Sequence, residues 1–175
     1  MNEVFFTKAD IEKYFVAEKK ESLLFLLMGM AGIITAIICF FFLKTDFYTG
    51  TAIPFSLIGL LLAIVGYTIY KRSDEDRKRN VYAYDMNPSQ LKEKELPRMK
   101  TVMRNFVIYR WIEICLFVIG TVVYIYFAPD KNDFWQGFGL ALAIMAALAL
   151  IADFFAEKRG KVYTKGIESF IRGKA

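Results

Sequence analysis

Residues 22–43 read SLLFLLMGMAGIITAIICFFFL, a run without a single charged side chain. A helix needs about 20 residues to cross roughly 30 Å of hydrocarbon, and this run has that length. Outward along the chain, 52–70 (AIPFSLIGLLLAIVGYTIY) and 134–152 (FWQGFGLALAIMAALALIA) are uncharged blocks of the same kind. A fourth block, 106–128 (FVIYRWIEICLFVIGTVVYIYFA), carries Arg110 and Glu113 near one end, where a long side chain reaches the headgroups. The whole chain is 56% apolar and 17% aromatic, with mean hydropathy +0.35. A soluble domain spreads a smaller apolar share at a period of 2 or 3.6, whereas here it comes in blocks. The expected fold is an all-α integral membrane protein, a four-transmembrane-helix bundle of two in–out–in hairpins with cytoplasmic amphipathic helices. The spans are 22–43, 52–70, 106–128 and 134–156.

Lysine and arginine set the expected orientation. Four (Lys8, Lys13, Lys19, Lys20) precede the first span, ten lie in 71–105, and six lie in the tail 157–175. The outer turns 44–51 and 129–133 hold only Lys44 and Lys131. Twenty bases against two place both termini in the cytoplasm by the positive-inside rule. The lysine- and isoleucine-rich usage points to a bacterial inner (plasma) membrane. The net charge of +5 follows from the same bias toward anionic inner-leaflet lipid, so it is no argument for nucleic-acid binding. No basic leader precedes the first apolar block, so that helix is expected to stay in the mature protein.

Between the spans the signals are local. Thr7 and Asp10 form a helix start in the segment 1–21, with Phe6 and Ile11 placed for a hydrophobic staple. The helix that follows either lies in the interface or runs straight into the first span. Ser73 and Asp76 suggest another helix start inside the charge run KRSDEDRKRN. Asp74, Glu75 and Asp76 there point in different directions on a helix and do not make a metal site. Asn87-Pro88 marks a turn. Leu91, Met99, Val102, Met103 and Phe106 then form an apolar stripe expected on the inner membrane surface, and the tail after Gly160 suggests a short surface helix.

The two outer connections match at an offset of 87. Lys44, Asp46, Phe47 and Gly50 align with Lys131, Asp133, Phe134 and Gly137, and Lys71-Arg72 aligns with Lys158-Arg159. Either a tandem duplication or convergence accounts for this, since outer turns need aromatic anchors and a helix-starting acid while spans one and three align poorly. Asp46 and Asp133 are expected to cap spans two and four. Small residues should carry the helix packing: Ser56, Gly59, Ala63 and Gly66 in span two, Gly29 and Gly32 in span one, Gly139 and Ala143 in span four. They face either inward or a homodimer seam.

The chain has no histidine, which removes Ser-His and Cys-His nucleophile pairs and His-ligated zinc. Cys39 and Cys115 sit at different depths and suit packing rather than a disulfide. No metal or cofactor site is indicated. The remaining candidate is a polar set at the inner face: Arg110, Glu113, Asp153, Tyr67 and Tyr109, with Arg110 and Glu113 placed to pair at three-residue spacing. Three functions fit. The first is binding without catalysis: a membrane-protein partner, self-association, or a toxin-immunity role. The second is a small transporter or channel subunit using Glu113 and Asp153. The third is a lipid-modifying or glutathione-dependent-type membrane enzyme.

Overall fold

The computed structural model describes residues 6–128 and 132–173. Lys131 and Lys174, counted above among the bases, lie outside them. Among the described residues the chain is almost wholly helical. Helix α1 (Lys8–Ile38) widens into a π-helical turn at Cys39–Leu43. Helix α2 spans Asp46–Met86, and α3 is the short Pro88–Gln90. A second π-helical stretch, Leu91–Glu95, leads into α4 (Leu96–Phe127), and α5 runs Asp133–Gly173. Four of these helical stretches are long and apolar enough to cross a membrane.

The helices are much longer than their apolar cores, which revises the expected segments. The N-terminal segment runs straight into the first apolar run as one helix. Asp10 starts it as expected, accepting from the Thr7 N–H at 2.8 Å and the Thr7 hydroxyl at 2.7 Å. Ser73 starts nothing. It lies in mid-helix, its hydroxyl donating to the Ile69 carbonyl at 2.8 Å and to Glu18 Oε2 at 2.9 Å. The residues after Gly160 are the end of α5 rather than a separate helix.

Charge pairing lets α2 and α5 continue beyond their apolar parts. Asp76 pairs with Arg79 at 2.6 Å, Asp74 with Lys19 and Arg77, and Glu157 with Lys161 at 2.6 Å. Neighbours at i,i+3 and i,i+4 support a helix in this way.

Helices α2 and α5 form the central pair, with α1 against α2 and α4 against α5. At the end bearing Asn87, which is also the end rich in bases, all these helices converge on one apolar cluster. Phe6, Ile11, Tyr14, Phe15, Ala83, Leu91, Met99, Tyr163 and Ile167 form its buried centre. The stripe that includes Leu91 and Met99 is therefore turned onto the protein's own core, where both side chains are fully buried. The reason is geometric: Asn87 ends α2, its N–H bonding back to the Ala83 carbonyl, and Pro88 restarts the chain in the opposite direction. Burial pushes the phenols of Tyr14 and Tyr163 above their ordinary range, Tyr14 with help from the nearby Glu18 charge and Tyr163 from Glu95.

The repeat seen in the turns reappears as packing. A β-carbon on Gly50 would collide with the Phe134 carbonyl, and one on Gly137 with the Phe47 carbonyl. These are the same contact twice, related by the offset of 87. The caps repeat too, but one residue earlier than expected. Thr45 Oγ1 accepts from the Tyr48 N–H at 3.4 Å, and Asn132 Oδ1 from the Trp135 N–H at 3.5 Å. Asp46 and Asp133 are the first helical residues instead, where their charge suits the helix dipole.

For α1 and α4 the matching offset is 84: Ile11 and Phe15 are buried like Glu95 and Met99. The three extra residues fall in the second connection, between Phe127 and Asp133, against Leu43 to Asp46 in the first. That shift is why the two spans fail to align at 87.

The small residues act inside the chain. A β-carbon on Gly29 would strike Ala63, and one on Gly59 would stand 2.9 Å from the Gly29 carbonyl. A β-carbon on Gly120 would stand 2.6 Å from the Ala143 amide nitrogen, and one on Gly139 2.7 Å from the Gly120 carbonyl. Close backbone approach of this kind holds helices where hydrophobic drive is weak. Ser56 is exposed and bonds only to its own helix, through the Ile53 carbonyl at 2.9 Å. Both cysteines are free, Cys39 buried and Cys115 exposed.

Candidate ligand-binding cavity

Between the turn end, where Gly50 and Gly137 bring α2 and α5 together, and the apolar cluster at the basic end, the helices leave a cavity of about 530 Å³. Its body is apolar: Phe25 from α1, Ile58, Leu62 and Val65 from α2, Leu116 from α4, Ala146 and Ala149 from α5. Its basic-end rim is ionic, formed by Glu18, Glu21, Arg72, Glu113, Asp153 and Arg159 with Tyr14, Asn105 and Tyr109.

Most of the rim charges are already engaged. Glu18 accepts from Ser73 at 2.9 Å and from the Tyr14 hydroxyl at 3.2 Å. Glu21 pairs with Arg159, whose guanidinium also lies 5.6 Å from the Tyr14 ring centre. Arg72 lies 3.8 Å from Asp76. The Tyr14 ring stacks on Tyr163 with centroids 4.0 Å apart.

Arg110 does not pair with Glu113. Its guanidinium instead binds both oxygens of Glu157, at 2.9 and 3.2 Å. Glu157 lies one turn beyond Asp153 on α5, so one guanidinium nitrogen of Arg110 reaches both of its oxygens across the helix pair. Glu113 is left facing Asp153, the two carboxyls within hydrogen-bonding reach of each other. Among the described residues no cationic side chain pairs with either acid, and Glu113 Oε2 is buried without a donor. The acid pair borders both the main cavity and a smaller one of about 220 Å³ that Arg110 and Glu157 line.

Of the residues singled out from the sequence, Glu113, Asp153 and Tyr109 therefore share the cavity and Arg110 sits behind it. Tyr67 is 56% exposed and lies outside it. Sequence reasoning missed Glu18, Asn105, Arg72 and Arg159 as rim residues, and Glu157 as the partner of Arg110. For the arginines a signal existed in the Lys-Arg match at offset 87, read there only as a mark of orientation. Both arginines of that match reach one cavity.

On the cavity wall the Ser22 hydroxyl donates to the Lys19 carbonyl at 2.8 Å. An apolar body with a charged rim is a binding arrangement. No family model, curated protein or solved structure matches the chain.

Proposed function

We propose that the chain is a four-span protein of the bacterial inner membrane, both ends cytoplasmic, that binds a small amphipathic molecule in this cavity without catalysis. One observation carries the binding reading: a cavity of about 530 Å³, within the range of small-molecule sites, that is apolar at the level of the spans and ionic at one rim. A molecule dissolved in the membrane matches both parts. The crowding of bases at the Asn87 end supports the orientation, and the matched packing supports reading the chain as two equivalent in–out–in hairpins.

Ala149 is buried on the cavity wall, so Ala149→Phe fills it, whereas Leu57, 61% exposed, points outward. Purified protein is expected to enhance the fluorescence of an apolar naphthylamine probe, the enhancement falling at least several-fold in Ala149→Phe and persisting in Leu57→Phe. Equal signals from both variants would place the probe on the outer surface and remove the reading.

Orientation is tested separately in a chain with Cys39 and Cys115 replaced by alanine. A membrane-impermeant maleimide on intact cells is expected to label Asp133→Cys and to leave Glu75→Cys and Ser169→Cys unlabelled until the membrane is opened. The reverse pattern refutes the orientation.

A further inference from the structure

We infer that the molecule this cavity takes is an amphipathic cation, its apolar part along the cavity wall and its charged head at Glu113 and Asp153. The inference rests on the binding reading above and adds the ligand's chemical class. The cavity supplies the volume and the apolar surface, and the balance of its rim charges supplies the sign. Glu21 has Arg159, Glu18 has two hydroxyl donors, and Arg72 lies beside Asp76. Arg110, the nearest cation on the same helix as Glu113, is held on the far side by Glu157. Glu21 Oε2 and Arg159 Nε are also buried there without a hydrogen bond, but those two residues carry opposite charges. The acids facing the cavity without a cation are Glu113 and Asp153, and Glu113 Oε2 is buried and receives no donor. Like charges in contact repel, and a cationic head beside the pair offsets that repulsion. A buried acceptor without a donor likewise asks for an N–H from outside the chain.

A second, independent observation comes from the repeat. At the matching offsets, Glu113 corresponds to Gly29 and Asp153 to Gly66. In the first half both positions are packed solid: Gly29 meets Gly59 and Ala63, and Gly66 meets Ser22 and Leu26. There the helix pair has no room for a side chain. In the second half the same pair of positions carries two acids, and α4 and α5 are held together elsewhere, at Gly120, Gly139 and Ala143. Helix packing therefore does not account for the acids. They replace a tight contact with a charged opening, on the side of the pair that borders the cavity.

The test uses the full chain in detergent and three probes with the same twelve-carbon tail: dodecyltrimethylammonium, dodecanol and dodecyl sulfate. Each is titrated against the bound naphthylamine probe. The cation is expected to displace it at about one tenth the concentration that the alcohol needs, with the sulfate weakest of the three. In Glu113→Gln/Asp153→Asn, which keeps size and hydrogen-bonding capacity, the advantage of the cation should vanish while displacement by dodecanol is unchanged. Displacement by dodecanol also reports that the variant is folded. If cation and alcohol displace equally from the unaltered protein, the cation inference is overturned and the cavity reading stands. Survival of the cation's advantage in the double variant overturns it as well. Failure of the unaltered protein to bind the naphthylamine probe at all removes both.

Discussion

Gly50→Ala and Gly137→Ala are each expected to destabilise the protein by about 1–3 kcal/mol, toward the upper end of that range, seen as a lower midpoint of thermal unfolding in detergent. A methyl group at either position falls on a backbone carbonyl of the facing helix, Phe134 for Gly50 and Phe47 for Gly137. A flexible side chain could swing away from such a clash, but a backbone carbonyl in the first turn of a helix moves only if that turn moves. Helices α2 and α5 form the central pair, so separating them at this end loosens the arrangement on which both flanking helices lean. The two substitutions should cost similar amounts, because they disturb two copies of one contact. Gly173→Ala is the control, since nothing lies within 4 Å of the added carbon. If Gly50→Ala unfolds with the same midpoint as Gly173→Ala, the close crossing of α2 and α5 is wrong.

Phe15→Ala is expected to cost about 3–5 kcal/mol, the range for deleting a fully buried phenylalanine. Only 1% of Phe15 is exposed, and its ring sits edge-on to Tyr163 with centroids 5.7 Å apart. The Arg98 guanidinium lies 5.9 Å from the ring centre, so the ring also shields the Arg98–Glu95 ion pair. Removing the ring leaves a void where α1, α4 and α5 meet, with stiff rings and ion pairs around it that collapse poorly into the space. Faster proteolysis around Asn87 should accompany the lost stability, because that reversal packs on the cluster beneath it. A loss below about 1 kcal/mol would mean the cluster does not bind the four helices together at this end.

How much of this was legible before the fold was known differs by element. The four apolar runs stand out because a span needs unbroken apolar length, and length is a property of the linear chain. Thr7 with Asp10 and the Asn87-Pro88 reversal were legible for the same reason: capping and turn chemistry act over three or four residues. The long basic-end extensions were not. The run 71–86 is polar enough to pass for a solvated connection, and only partners from other helices, Lys19 for Asp74 and Glu18 for Ser73, make it part of the fold. The apolar stripe at Leu91 and Met99 carries no mark saying whether lipid or protein covers it. Arg110 and Glu113 show the limit most clearly. Spacing of three on one helix permits a pair, but α5 brings Glu157 to within 2.9 Å of the Arg110 guanidinium, and that contact is the one formed.

The sequence by itself determined that this chain builds four long apolar helices, that bases crowd one end of them, and that its two turns share one chemistry. These follow from composition and short-range spacing. Tertiary structure alone decided that the matched turns pack against each other, that Arg72 and Arg159 reach the same cavity, and that Glu113 faces Asp153 without a cation. Each of those depends on which face of one helix meets which face of another, and residues more than one turn apart in the chain do not encode that in their spacing.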